Sequence, residues 1–366
     1  MSDRPYAAAR AVASRVQAHF SREFGGGGAV ATADAEAIEA LIDAAFWASL
    51  RREEGYLPRI SLALVDPVTT STTLTFEQAL PLTPQRLTKL AAAVERPGIH
   101  LGVRPDGDGL VLWGATRTLP PDALVLEVVA PGVLVVKHRR RGDSGKYINV
   151  AVIEGDQIKI VDERGSTLPD CPAVVHSLTG FDSPGSWSGS ANVLVELAIS
   201  MRAHGRGGTL LVVPEGTERW QESISRPIPY AIAPPYSALR EAAVPDADAG
   251  SMRRPIESVA GLTAVDGAVV MTDRFDVFAF GAKIVRRRGS APVEQVHLTE
   301  PIEGSVPDVV NPAALGGTRH LSAAQFVHDQ RDVVALVASQ DGRFTVFAWS
   351  PCENMVHAHR VEVLLV

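Results

Sequence analysis

The chain has 366 residues, 46% of them hydrophobic and 21% charged, with a formal net charge of −7 and mean hydropathy of +0.08. That length suits two domains of ordinary size, and the apolar content excludes a globally disordered chain. The negative charge opposes binding to a nucleic acid polymer, which needs a basic face to displace counterions, and leaves room for a local basic pocket only.

The two cysteines, Cys171 and Cys352, are far apart and form no Cys-x-x-Cys pair, which argues against a disulfide framework and a cysteine-held zinc. Residues 1–20 carry early charges and a helical apolar period rather than a continuous apolar core, and no apolar run reaches the roughly 18 residues of a membrane span. The expectation is a cytoplasmic protein with no membrane partner.

Residues 5–22 and 34–52 place apolar side chains at helical spacing, among them Ile38, Leu41, Ile42, Ala45 and Phe46, and predict two helices joined by Gly25 to Gly28. The glycine run lacks the closing Gly-Lys-Ser/Thr and the preceding strand of a phosphate loop. Between 59 and 163 the period changes to two, in runs such as "RISLALVD", "ALVLEVV" and "YINVAVIEG", which predict short strands. One helix at 83–95, capped by Thr83, interrupts them. Lys137 to Arg141 ("KHRRR") reads as a solvated hairpin tip between two strands.

Residues 164–190 are rich in Gly, Ser and Pro and predict the connection between domains, with a boundary near 180. Within them "GSWSG" puts Trp187 where a hydrolase elbow requires its serine. From Asn192 the pattern turns to helix and buried strand, "NVLVELAISMRAHG" then "GTLLVVPEG". A Pro-rich crossover, a helix at 253–262, the strands "VDGAVVMTD" and "DVFAFGAKIV", a helix after residue 318 and a closing set of strands follow. The predicted organisation is an α+β domain over 1–180, with a largely antiparallel sheet and no assigned role. An α/β domain over 188–366 follows it, with a mixed, twisted sheet flanked by helices.

Two short stretches carry chemistry. Gly316 and Gly317 stand before Thr318, Arg319 and His320 at the start of a helix. The first N–H groups of a helix lack partners within it and its dipole puts positive charge there, so an anion fits. Glycines allow close approach, the threonine hydroxyl can bond or cap, and arginine offers a planar fork. The plain alternative is a Gly-Thr helix start followed by a surface arginine. The second stretch is Asp266-Gly267-Ala268 at the head of an apolar strand, where a carboxylate can ligate Mg²⁺ or Mn²⁺ beside phosphates; Asp-Gly otherwise marks a turn.

In this order and spacing, residues 190–366 resemble the diadenylate cyclase (DAC, DisA N-terminal) domain, chiefly through Asp266, Gly267, Ala268, Gly317, Thr318, Arg319 and His320. In that family two ATP-loaded domains face each other as a homodimer and make cyclic di-AMP. The resemblance implies Asp266 as metal-binding carboxylate, with Mg²⁺ or Mn²⁺ accompanying the nucleotide. It implies Gly267, Ala268 and Gly317 as nucleotide-binding backbone, and Thr318, Arg319 and His320 as the phosphate clamp. Asp266, Arg319 and His320 would act in any catalysis. Ser339 in "ASQDG" stands where the family has a serine near the phosphates. The family's Arg-His-Arg reads Arg319-His320-Leu321 here, and a missing guanidinium weakens transition-state stabilisation more than ground-state binding. The chain also resembles the bacterial DAC-related sensor proteins of the DACNV type, in which an α+β region precedes a DAC-like domain. The expectation is a sensor of an adenine nucleotide or cyclic dinucleotide. An active diadenylate cyclase, a nucleotidyltransferase, is the alternative, and a ligand-free structural or interaction protein a further one.

Overall fold

The alternating runs of the first half become strands because every second side chain is buried against helices. In the computed structural model, which describes residues 5–25, 34–67, 70, 73–96, 98–107, 109–139, 147–162, 188–243 and 249–365, the chain divides into two compact units, 1–161 and 162–365. Both are mixed α/β units. The segment 163–187, which holds most of the predicted connection together with Cys171 and the Gly185-Ser186-Trp187 part of "GSWSG", lies outside the described residues.

The first unit has helices α1 (Ala7–Phe24), α2 (Ala35–Ser49) and α3 (Pro84–Leu90). Its strands are β1 (Ile60–Leu64), β2 (Thr73–Pro81), β3 (His100–Asp106), β4 (Gly109–Thr116), β5 (Leu124–Ala130), β6 (Val133–Arg139), β7 (Tyr147–Glu154) and β8 (Gln157–Ile160). They form one sheet in the order β2-β4-β3-β1-β5-β6-β7-β8, in which β1 and β3 are parallel. Asp34 caps α2 through Ala37 N at 2.8 Å, and Thr83 caps α3 as its sequence position predicts. Val12, Val16, Phe20, Ile38, Leu41 and Ile42 pack on Leu62, Leu101 and Leu126 from one face of the sheet. On the other face Trp113 lies across Gly102, where an added Cβ would stand 2.1 Å from the indole, and its Nε1 donates to Val65 O at 2.8 Å.

The second unit begins with α4 (Ser188–Ala203), β9 (Gly208–Val213), β10 (Tyr230–Tyr236), α5 (Ala238–Ala242), α6 (Ala249–Leu262), β11 (Ala268–Thr272) and β12 (Val277–Ala282). It continues with β13 (Val296–Thr299), β14 (Asp308–Val310), α7 (Ala313–Gly316), α8 (Thr318–Gln330), β15 (Val334–Ala338), β16 (Phe344–Ser350) and β17 (Met355–Arg360). The sheet order is β10-β12-β11-β9-β15-β16-β17-β13-β14, with β9 and β11 parallel and β13 and β17 parallel. Leu197, Met201, Ile256 and Val259 cover Leu210, Val269 and Leu336 on one face. Ala323, Phe326 and Val327 cover Leu211, Val270 and Phe347 on the other.

The two units trace the same path. The seven-strand order β2-β4-β3-β1-β5-β6-β7 of the first is repeated as β10-β12-β11-β9-β15-β16-β17 in the second, with the same parallel pair at its centre. What differs is the link after the fourth strand of the set. It spans residues 117–123 in the first unit and 283–333 in the second, where it carries β13, β14, α7 and α8.

Several elements depart from the sequence expectation. The Pro-rich crossover contains β10 and α5, and the helix expected at 253–262 starts at Ala249 with Pro255 inside it. Lys137 is no solvated tip: it lies in β6, and its ammonium sits 2.6 Å from Glu127, a partnership that lets a charged group be buried. His138 is buried too, while Arg140 and Arg141 lie outside the described residues.

Two histidines, His100 buried and His19 half-buried, give the first unit a pH limit. His100 bonds Ser61 Oγ through Nδ1 at 2.7 Å, and burial pushes it down to about 4. His19, 3.3 Å from His138 Nε2 to Nε2, is pushed down to about 4 by burial and then by its neighbour. Below the ordinary histidine value of about 6.5 the unfolded chain takes up protons that the folded chain refuses, so stability is lost as pH falls from about 6.5 to about 4. For His100, 2% exposed, full separation of the two values amounts to about 3 kcal/mol. Urea unfolding across this range is expected to show the decline, and His100→Gln to flatten it; an unchanged slope in that variant contradicts the assignment.

Candidate functional site

One end of the second sheet gathers most of the residues singled out in the sequence. It is formed by the starts of β9 and β11, the ends of β12 and β15, and the start of α8. Asp266 and Gly267 lead into β11, which begins at Ala268; Gly267 has φ +115° and its backbone lies directly against β12, where an added Cβ would stand 2.4 Å from the Gly281 carbonyl carbon. No side chain fits there. Gly281 is itself pressed by Tyr230, whose ring would be 2.7 Å from an added Cβ. That ring stacks on Phe280 at 4.6 Å and 9° and is half-exposed.

Asp266 is 85% exposed and accepts a bond from Lys283, the residue just after β12. Lys283 is the main reason its carboxyl is held below the usual range, and Arg319 contributes through space. Arg319 therefore faces the same end of the sheet as Asp266. A Cβ on Gly207, just before β9, would stand 3.2 Å from Arg319 Nη1, 3.1 Å from Ala338 O and 3.4 Å from Gln340 Cγ. The guanidinium thus lies over bare backbone between the start of β9 and the end of β15.

The helix start is open. Gly317 is the N-cap of α8 with φ 79° and ψ −158°, no side chain caps it, and nothing lies within 4 Å of where its Cβ would be. That backbone conformation is close to exclusive to glycine. Gly317 and Thr318 are exposed, and Arg319 is half-buried. His320 is turned the other way: it is 1% exposed, packs its ring on Phe347 at 6.0 Å, and reaches Gly316 O through Nδ1 at 3.0 Å. Burial lowers its pKa, which favours the neutral ring, and its Nε2 has no hydrogen-bond partner among the described residues. His320 sits beneath the glycine pair and holds it. Leu321 is 38% exposed on the first turn.

Ser339 follows β15 at the same end of the sheet. Burial acts to raise the neighbouring Asp341 carboxyl, but the bond from Ser339, the backbone N–H of Arg343 and the Arg343 charge outweigh it and hold the group below its ordinary value. Asp266 belongs to no group of three converging His, Cys, Asp or Glu side chains among the described residues. A lone exposed carboxylate suits Mg²⁺, which keeps most of its waters and binds through one or two carboxylates plus phosphates.

Reasoning from sequence missed Lys283, Tyr230, Gly207 and Gly281. "GRGG" at 205–208, a glycine cluster directly before a buried strand, is a signal that marks this end; Tyr230 has none, because its neighbourhood is made by pairing across β10 and β12.

Residues 29–117 match the family model described as "Probable sensor domain DACNV". That segment runs from α2 through β4 in the first unit, and the match supports a sensor role. No curated protein matches the chain. Among solved structures, a hypothetical membrane spanning protein from Bacillus cereus is 16% identical over 51% of this chain and 70% of its own, with a TM-score of 0.29, too low to carry an argument. No helix among the described residues of the present chain is long and apolar enough to cross a membrane.

The glycines give a direct check on this geometry. Gly317→Ala meets no neighbour, so its cost is backbone strain alone, about 1–3 kcal/mol. Gly267→Ala adds overpacking against β12, of about 1–3 kcal/mol more. Denaturant midpoints are expected to rank Gly267→Ala below Gly317→Ala below the parent; a Gly267→Ala protein as stable as the parent rules out the close approach of β11 and β12.

Proposed function

We propose that the chain is a sensor whose second unit binds an adenine nucleotide or cyclic dinucleotide by its phosphates at the end of the sheet around Arg319. The observation that carries this reading is the guanidinium of Arg319 lying over Gly207 beside the uncapped start of α8. There a phosphate meets free helix N–H groups, an arginine fork and bare glycine backbone together. Asp266 holds the accompanying Mg²⁺ or Mn²⁺ by exchanging Lys283 for the ion, and Lys283 then turns to the phosphates. Tyr230 offers a half-exposed ring on which adenine stacks. Ser339, next to Ala338, is within the same rim. His320 contributes by fixing the glycine pair rather than by reaching solvent. The family match over 29–117 supports sensing as the output of such binding.

Cyclase chemistry asks for more. Two nucleotides must be held face to face in a homodimer, each 3′-hydroxyl in line with the other α-phosphate, with charge stabilisation complete. At the position of the second clamp arginine this chain has an exposed leucine, Leu321, where a longer charged side chain has room in solvent.

Thermal shift of the full chain with ATP or cyclic di-AMP, in Mg²⁺ or Mn²⁺, is expected to show stabilisation; a ligand at a hundredfold excess over its dissociation constant contributes about 2.7 kcal/mol. Arg319→Ala is expected to weaken binding by about 1.5–3 kcal/mol, while Asp266→Asn removes the metal dependence. No shift with any of these ligands, or an Arg319→Ala protein that binds like the parent, contradicts the reading. In the same preparations mass spectrometry is expected to find little cyclic di-AMP from ATP and Mn²⁺, and more from Leu321→Arg. Robust product from the parent, lost in Asp266→Asn, makes the protein a cyclase.

A further inference from the structure

The link that distinguishes the second unit from the first is fastened to the sheet at β13, and the fastening is polar. β13 pairs in parallel with β17, placing His297 directly opposite His357. The rings are 5.3 Å apart and nearly perpendicular. Glu353, in the turn between β16 and β17, sends one carboxylate oxygen between them, 2.5 Å from His297 Nδ1 and 2.9 Å from His357 Nε2. Ser350 Oγ accepts from the Glu353 N–H at 3.1 Å and fixes that turn. The three donor atoms all lie within 4.8 Å of one another. Bonds from His297 and then His357 outweigh desolvation and hold the Glu353 carboxyl below its ordinary range, so it is a carboxylate at neutral pH.

We propose that His297 Nδ1, His357 Nε2 and the Glu353 carboxylate form a site for a divalent transition-metal ion of the Zn²⁺ type, which clasps β13 to β17. The donor set decides the class of ion: two imidazoles and one carboxylate suit Zn²⁺ and its first-row neighbours, whereas Mg²⁺ and Ca²⁺ prefer oxygen alone. His357 is 1% exposed, and His297 and Glu353 are partly exposed, so an ion is anchored in the sheet and reached from solvent, with a coordination position left for water. In the absence of an ion the carboxylate occupies the point on which the two nitrogens converge.

This site is separate from the proposed phosphate site. His357 pairs with Ala348, which pairs with Val334 and through it with Val212 and Met271. The phosphate end of the sheet is the row of Thr209 and Ala268, three residues nearer the strand starts, and β16 and β15 stand between β17 and β9. The ion would hold the same inserted segment, 283–333, that carries Gly317 and Arg319 further along, and so fix where α8 begins.

Untagged full-length protein stripped with EDTA is titrated with Co²⁺ and Zn²⁺. Bound metal per chain is measured after gel filtration, and visible absorption reports Co²⁺ coordinated by nitrogen. The expected result is one tightly held ion per chain with Co²⁺ bands. Affinity falls at least tenfold in Glu353→Gln and in His297→Gln, and is unchanged in Asp266→Asn. Both diagnostic substitutions are at partly exposed positions, so they do not depend on the folding of a variant at buried His357. A parent that holds no stoichiometric ion, or one whose binding survives both substitutions, overturns the proposal and leaves a hydrogen-bonded trio. Loss of binding in Asp266→Asn alone overturns it as well, and moves the ion to the phosphate end.

Discussion

The contact on which the account of the second unit depends is that between Arg319 and the glycine backbone before β9. The guanidinium lies 3.2 Å from where a Cβ on residue 207 would stand, a contact tighter than side chains ordinarily make, so the glycine leaves it room, and that approach brings the start of an inserted helix to the starts of two parallel strands. Once α8 begins at that place, its free N–H groups, the Asp266–Lys283 pair at the head of β11 and Ser339 at the end of β15 share one rim. Opposite charges alternate around it. An anion carrying a divalent ion answers both signs, the ion taking the place of Lys283 at Asp266.

The same chain path with a short link shows what the insertion adds. In the first unit the row at the starts of the parallel strands is Ser61 beside His100 and opposite Glu127, where the second unit has Thr209, Ala268 and Val337. Without α8 to bring an arginine, that end is filled by side chains that satisfy one another: Ser61 with His100 and Glu127, Lys137 with Glu127, and Tyr147 OH 3.4 Å from His100 Nε2. Lys137 also lies 4.8 Å from the Tyr147 ring centroid. Such a cluster is closed, since each buried polar group already has its partner. The segment matched by the sensor-domain model includes Ser61 and His100 of this cluster and ends before Glu127, Lys137 and Tyr147.

The fold was legible wherever a local pattern decided it. Period two marked β5, β6 and β7, helical spacing marked α1 and α2, and Thr83 marked the start of α3. Non-local pairing hid the rest. β10 is Pro-rich and mostly exposed, with none of the alternation of a half-buried strand, and is a strand because β12 pairs with it; β13 and β14 are short strands, β13 laid on β17 and β14 at the sheet edge laid on β13. At the site, the helix start and the Asp-Gly pair were readable because each has its own chemistry. That His320 turns inward was not, since Phe347 beneath it is 27 residues away in sequence. The converging His297, Glu353 and His357 escaped for the same reason: their spacing has no motif until two parallel strands place them opposite each other.

The most direct test of the central claim follows the backbone amides themselves. Hydrogen exchange of the full chain, with and without saturating cyclic di-AMP or ATP and Mg²⁺, reports whether a ligand occupies the N–H groups at the start of α8. Slower exchange is expected in the peptide spanning Gly317 to Leu321, and in those covering Gly207 and Asp266, with residues 60–64 and 100–106 of the first unit unchanged. Ligand-dependent protection that falls on the first unit and leaves 317–321 unaltered would contradict it.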